Sequence, residues 1–229
     1  MTSTGHNGVC APDDVGNTVA CPLCGESGAG LYHRDRARTY HRCRQCALVF
    51  VPPTDWVGRA EERARYDQHQ NDPADQRYRQ FLARLANPLL ERVTTGTAGL
   101  DFGSGPGPAL PQMLEAAGLR VRLYDPFYAP DPSVWNRQYG FIAASEVVEH
   151  LRDPAAEFDR LFAALELGGW RAVMTKWVTD HESFATWRYI RDRTHIVFYC
   201  PETLRWVSER WGAPVEFAAQ DVALFRKAG

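Results

Sequence analysis

Eight residues, Asp101-Phe-Gly-Ser-Gly-Pro-Gly-Pro108, constrain this chain more than any other stretch. Residues 98–102 form a short apolar run, as a buried parallel strand does. Gly103, Gly105 and Gly107 remove side chains where the backbone turns sharply and approaches a ligand. Pro108 suits the first turn of a helix. Leu110, Met113, Leu114 and Ala117 then give a helical stripe that Gly118 ends. Residues 120–124 alternate charged and apolar groups as a second strand, and Asp125 follows, where an acid can accept ribose hydroxyls. Strand, glycine loop, helix, strand and acid in this order predict the first βαβ unit of a nucleotide-binding α/β domain.

The same residues discriminate between nucleotides. A dinucleotide fingerprint reads G-x-G-x-x-G, and counted from Gly103 its sixth position is Pro108, so the pattern fails. Asp101 instead stands two residues before the first glycine. A carboxylate there suits a ligand with a positive amino group, which NAD lacks and S-adenosylmethionine (SAM) carries. On these residues the chain resembles class I SAM-dependent methyltransferases, over roughly residues 97 to 229. Asp101, Gly103, Ser104 and Gly105 match the family's glycine-rich motif, and Asp125 its acidic ribose ligand. Ser145-Glu146-Val-Val-Glu149-His150-Leu151 matches its motif after strand four. Residues 194–204 resemble a segment common in its small-molecule and general branches.

The resemblance implies a Rossmann-like α/β fold with a mostly parallel sheet and an antiparallel last strand. It implies that Asp101 and the glycine loop hold the methionine part of SAM, with the Glu146 segment beside the cofactor. The chain departs from the family after Asp125. Only about a dozen residues separate it from a strand starting near Gln138, and three are Pro126, Pro130 and Pro132. The strand-three region is therefore expected to be shortened. Pro126, Phe127 and Tyr128 are the candidates to wall the adenine.

A second signal lies upstream. Cys21, Cys24, Cys43 and Cys46 form C-x2-C-x18-C-x2-C, the zinc-ribbon spacing. Two such knuckles complete a closed tetrahedral site with no position for water, so the expected Zn2+ is structural. It supplies what this short segment lacks in apolar core. Cys10 and Cys200 remain outside the pattern. Between the knuckles Arg34, Arg36, Arg38, Arg42 and Arg44 face only Asp35. The run reads as a solvated hairpin face, with phosphate contact as the alternative.

The expected organisation is a leader over 1–18, a zinc ribbon over 19–52, a helical cap over 53–96 and the methyltransferase domain over 97–229. Pro52-Pro53 marks the first boundary. In the cap, Tyr78, Phe81, Leu82, Leu85 and Leu89 share one helical face, and Asn87-Pro88 is expected to kink or restart the helix. The polar stretch 65–72 is dense in hydrogen-bonding groups. Tyr66 and His69 are its candidates to touch SAM or substrate, with a plain surface turn as the alternative. Downstream, 139–144 reads as strand four. Asp153 and Pro154 start a helix with a Phe158, Leu161, Phe162 and Leu165 stripe, ended by Gly168-Gly169. Residues 170–177 read as strand five, 201–211 as a helix, and 215–219 and 222–226 as a terminal strand pair. Residues 178–200 lack periodicity and leave the carboxyl end of a strand, where ligands of open α/β sheets bind. His195 in this loop is the candidate general base, by position and native pKa range.

The expected activity is methyl transfer from SAM to a small-molecule acceptor, at an O, N or C nucleophile. An RNA methyltransferase gripping its substrate with the basic ribbon is an alternative. A non-catalytic SAM-binding scaffold is another. The net charge of −2 makes no global demand for nucleic acid. No apolar run reaches the ~18 residues of a membrane span. The first residues lack a signal peptide's charged start and apolar core, so a cytoplasmic protein is expected.

Overall fold

The computed structural model describes residues 19–68 and 71–229. The expected leader with Cys10, and His69 of the cap, lie outside the described residues. In chain order the strands are β1 Val19–Ala20, β2 Ser27–Arg34, β3 Thr39–Arg42, β4 Val49–Phe50, β5 Ala98–Phe102, β6 Arg120–Tyr124, β7 Tyr139–Ser145, β8 Leu165–Met174, β9 Val197–Phe198, β10 Val215–Ala219 and β11 Val222–Arg226. The α-helices are α1 Arg59–Tyr66, α2 Gln76–Leu90, α3 Ala109–Ala116, α4 Pro154–Ala163, α5 His181–Thr186 and α6 Pro201–Arg210.

The larger sheet has the order β10-β11-β8-β7-β5-β6. Strands β6, β5, β7 and β8 are parallel, and β11 and β10 are antiparallel additions. Both faces are covered, as a parallel sheet requires. The pleat sorts β7 by alternate residues. Phe141 and Ala143 pack with Leu82, Leu85 and Leu89 of α2 and with Leu110 and Leu114 of α3. Ile142 and Ala144 pack with Phe158 and Leu161 of α4 and Leu204 and Val207 of α6. The open sheet brings the carboxyl ends of β5, β6, β7 and β8 to one edge, and the site lies there.

No strand pairs outside β6 among the described residues. Asp125 and Ala129 form an isolated bridge, and a 3-10 turn, Pro132–Asn136, returns the chain to β7. The Asp131 side chain caps that turn by accepting from the Ser133 N–H. Trp135 then packs its ring edge on Tyr124, 4.9 Å away, and covers the apolar flank of β6.

Three expected boundaries are corrected. The helix starting at Pro154 ends at Ala163, and Leu165 already belongs to β8. Gly168 and Gly169 lie inside that strand. Tyr139 pairs with Leu165 but Phe141 with Trp170, so the glycines form a bulge rather than a helix stop. β8 ends at Met174, short of Trp177. Helix α2 runs on through Pro88, because Leu82, Leu85, Ala86 and Leu89 are buried along one face and packing outweighs the lost N–H.

The smaller sheet has the order β1-β2-β3-β4-β9. Its last strand comes from the 178–200 segment: Val49 pairs with Phe198 and Phe50 with Val197. One sheet therefore crosses the boundary expected at Pro52-Pro53. The rest of that segment is also structured, as α5 and a 3-10 turn, Arg188–Arg191.

Candidate active site

The glycine loop is clamped to the end of β6. The Gly103 N–H donates to the Tyr124 carbonyl at 2.7 Å, and the Gly105 N–H to Asp125 Oδ2 at 3.0 Å. Gly103 and Gly105 adopt φ of +79° and +62°, the left-handed region that side chains disfavour. Gly107 is required differently: a Cβ there would lie 2.1 Å from the Asn71 carbonyl oxygen. The segment after α1 thus lies directly on the loop.

Asp125 does more than the sequence suggests. Its Oδ1 accepts from the Phe127 and Tyr128 N–H groups at 2.8 and 3.1 Å, while Oδ2 holds Gly105. A carboxylate offers about four lone-pair positions, so one remains on Oδ2. Asp101 lies beneath, 4% exposed. Burial, reinforced by Asp125, pushes its carboxyl up to about 7.

A cavity of about 700 Å³ opens over these residues. Gly103, Ser104, Gly105, Asp125, Pro126, Glu146, Tyr66 and His195 all line it, and Asp101 lies outside the lining. Phe127 and Tyr128 form its wall beside Pro126. Ser104 Oγ and Glu146 Oε1 are buried without a partner. Glu146 stands at φ +53°, a conformation costing a non-glycine residue about 1 kcal/mol or more. Its N–H is held by the Met174 carbonyl at 2.8 Å. Burial and then Glu149 push its carboxyl up to about 8, with Lys176 opposing.

Two described parts of the polar stretch, Arg65–Asp67 and Asn71, form a strap at the mouth. Asp67 Oδ1 accepts from the Tyr128 hydroxyl at 2.6 Å, and Arg65 Nε donates to Asp192 Oδ2 at 3.0 Å. Tyr66 donates to Glu62 Oε1 and sets its ring against His150, 5.2 Å away and nearly perpendicular.

Four more residues complete the cavity: Tyr189, which the 178–200 loop already offered as an aromatic wall, and Asn71, Tyr78 and Lys176, to which no ligand role is assigned from sequence. Asn71 covers the glycine loop, and Tyr78 approaches Asp101 and Glu146, whose charges add to the burial that raises its hydroxyl to about 12. Tyr189 donates a short hydrogen bond to Glu149, and Lys176 lies over the Tyr189 ring. Glu149 is fully buried behind Tyr189 and pushed up to about 7 by burial. Periodicity around Tyr78 was legible, but it marks a packing face and not a ligand contact.

His195 and His150 meet at the far end, rings 4.7 Å apart. Nδ1 of His195 lies 2.8 Å from the Tyr189 carbonyl, and Nδ1 of His150 lies 3.0 Å from that of Thr194. A carbonyl only accepts, so both Nδ1 atoms carry the proton and each neutral ring keeps a lone pair on Nε2. Burial, then His150, pushes His195 down to about 3.

In the ribbon the four cysteine sulfurs lie within 4.8 Å of one another. Cys21 and Cys46 are 3.5 Å apart, Cys24 and Cys43 3.4 Å. A tetrahedral zinc with sulfurs at ~2.3 Å spaces them by about 3.8 Å, so the donor set fits the ion. Gly25 and Ala47, each following a knuckle, share positive φ of 76° and 59°. The arginine run is corrected at one position: Arg38 is buried at 3% exposure and points away from solvent.

Residues 68–216 match the family model described as a methyltransferase domain. A SAM-dependent methyltransferase from Archaeoglobus fulgidus is similar in structure at 19% identity, over 65% of this chain and 94% of that one, with a TM-score of 0.50. The 1,6-didemethyltoxoflavin-N1-methyltransferase of Burkholderia thailandensis, solved with 1,6-didemethyltoxoflavin and S-adenosylhomocysteine, aligns at 12% identity over 87% of this chain and 99% of its own, with a TM-score of 0.49. No curated protein matches the chain. With more than half of its residues inside the family model, the chain belongs to the methyltransferase domain family.

Proposed function

We propose that this protein transfers a methyl group from SAM to a small-molecule acceptor. The observation that carries the reading is one cavity joining the Gly103–Gly105 loop and Asp125 to the polar end at Tyr189 and His195. Asp101 and Glu146 are buried carboxyls awaiting positive charge, which the ammonium and sulfonium of SAM bring. The free lone pair of Asp125 Oδ2 takes a ribose hydroxyl. Pro126, Phe127 and Tyr128 offer an apolar wall for adenine in place of the absent third strand. His69, from the cap, stays a candidate contact.

SAM supplies an electrophilic methyl on a good neutral leaving group, so the protein's task is mainly alignment. The strap residues Tyr66 and Asp67 close the mouth and exclude water. His195 is the proposed base. Its Nε2 lone pair is the available proton acceptor, although burial lowers its basicity away from the native range expected from sequence. Zinc at Cys21, Cys24, Cys43 and Cys46 is proposed as structural. The RNA reading loses ground because Arg38 is turned into the protein.

Calorimetric titration of zinc-replete protein tests this. SAM and S-adenosylhomocysteine are expected to bind at micromolar concentration and NAD not at all. Asp125→Ala loses both the ribose contact and three N–H bonds of the loop, so SAM affinity falls by about 100-fold. Absence of SAM binding by the wild type overturns the proposal. Binding without labelled methyl transfer to any metabolite fraction favours the scaffold reading.

A further inference from the structure

One guanidinium from the ribbon organises the backbone of the active-site loop. Arg38 Nη1 donates to the Arg193 carbonyl at 3.1 Å and to that of His195 at 2.8 Å. Its Nη2 donates to the carbonyl of Asp192 at 3.3 Å and, by a short bond, to that of Ile190. Four carbonyls at the end of the Arg188–Arg191 turn thus converge on one cation. Carbonyls at such a terminus have no partner within the turn, and only arginine carries five donors in a rigid fork.

The ribbon in turn fixes Arg38. The tip of the β2–β3 hairpin closes around Asp35, whose Oδ1 accepts from the Ala37 and Arg38 N–H groups at 2.7 and 2.8 Å. Asp35 Oδ2 accepts from the Tyr40 hydroxyl, and the Arg38 guanidinium lies 5.2 Å from the Tyr40 ring. On the other side of the loop, Val51 donates to the Ile196 carbonyl at 2.8 Å, and β4 pairs with β9. The second cysteine knuckle, Cys43 to Cys46, is the turn that joins β3 to β4. Every ribbon contact named here falls on residues 190–198. The glycine loop and Asp125 are held by β6 and the strap instead.

We propose that the cysteine ribbon is part of the acceptor machinery, with Arg38 the positioning residue that holds the loop bearing Tyr189, Asp192 and His195. This rests on reading the cavity as a methyl-transfer site. A zinc ion held by Cys21, Cys24, Cys43 and Cys46 would act at a distance: it would fix the knuckle that joins β3 to β4, and these strands present Arg38 and an edge for β9. The SAM end stands without this support, so the two halves of the cavity are separately sensitive.

The test uses full-length, zinc-loaded protein. Amide exchange is followed by mass spectrometry, the His195 imidazole by 15N NMR, and SAM affinity by calorimetry. In Arg38→Ala, exchange across 190–198 accelerates by about tenfold or more, and the His195 signal loses its single Nδ1–H tautomer. SAM affinity stays within about twofold of wild type. Ethylguanidinium added to Arg38→Ala restores the His195 signature, and Arg38→Lys recovers only part of it. Should Arg38→Ala fail to fold, Asp35→Ala keeps the guanidinium, loosens the hairpin tip and frees the Tyr40 hydroxyl from Asp35, and gives the same pattern in weaker form. An unchanged 190–198 segment overturns the proposal. So does a loss of SAM affinity that parallels the loop's loosening, which would mark a general stabilising role. The outcome is independent of the cofactor assignment: wild type that fails to bind SAM sinks the methyl-transfer reading, while loop exchange still reports on Arg38.

Discussion

If Asp101 receives the SAM ammonium as proposed, SAM affinity depends on pH with a defined sign. Asp101 is raised from 3.8 to about 7 by burial and by Asp125. A ligand ammonium is held by a carboxylate, so below pH 7 binding must expel a proton that the empty site retains. If Asp101 alone ionises, affinity gains one decade per pH unit well below 7, or about fifteen-fold between pH 5.5 and 7. Above a ligand α-amino pKa near ~7.7 the ammonium itself is lost, so affinity peaks between pH 7 and 8. Glu146, raised to about 8, steepens the rise if it ionises too. Calorimetry in two buffers of different ionisation enthalpy counts the protons. About one is expected to leave per SAM bound at pH 6, and Asp101→Asn flattens the profile. Affinity independent of pH from 5.5 to 7, with no proton released, refutes the reasoning. The same shift acts on folding with the opposite trend. A folded pKa above the unfolded value contributes stability that is complete below pH ~4 and lost as pH rises through about 7. Asp101's own contribution to the stability of the empty protein is therefore larger on the acid side of neutrality, where SAM is expected to bind less well.

Two further outcomes follow from packing. Arg171 is fully buried, none of its guanidinium nitrogens has a hydrogen-bond partner, and its main compensation is the Phe158 ring 3.7 Å away; Arg171→Met is expected to stabilise by about 1–3 kcal/mol in urea unfolding, and a loss of stability refutes this. Gly107→Ala places a methyl against the Asn71 backbone, so the strap lifts and SAM affinity drops by roughly tenfold with little change in circular dichroism; unaltered calorimetry shows that the strap is free to yield.

What was legible in the sequence is what local spacing encodes. The glycine loop needs left-handed backbone at Gly103 and Gly105, and the cysteine knuckles need two residues between thiols; both requirements leave marks within a few positions. The alternation of β7 and the helical face of α2 are likewise local. Lys176 and Asn71 enter the cavity through tertiary folding, and no nearby pattern distinguishes them. Arg38 is the clearest case: among five arginines of one hairpin, nothing in sequence separates the buried one from the solvated ones. Gly168-Gly169 misled because glycine ends helices and bulges strands alike, and only the partner strand decides.

The join between β4 and β9 also bears on how the chain is made. Arg38 meets partners 155 and 157 positions downstream. At ribosomal rates of about 5–20 residues per second, roughly 10–30 s pass before those partners emerge. During that interval the nascent hairpin carries an arginine without these partners, and β4 an open edge. The end of the cavity lined by Tyr189 and His195 is therefore completed only once residues 190–198 have emerged.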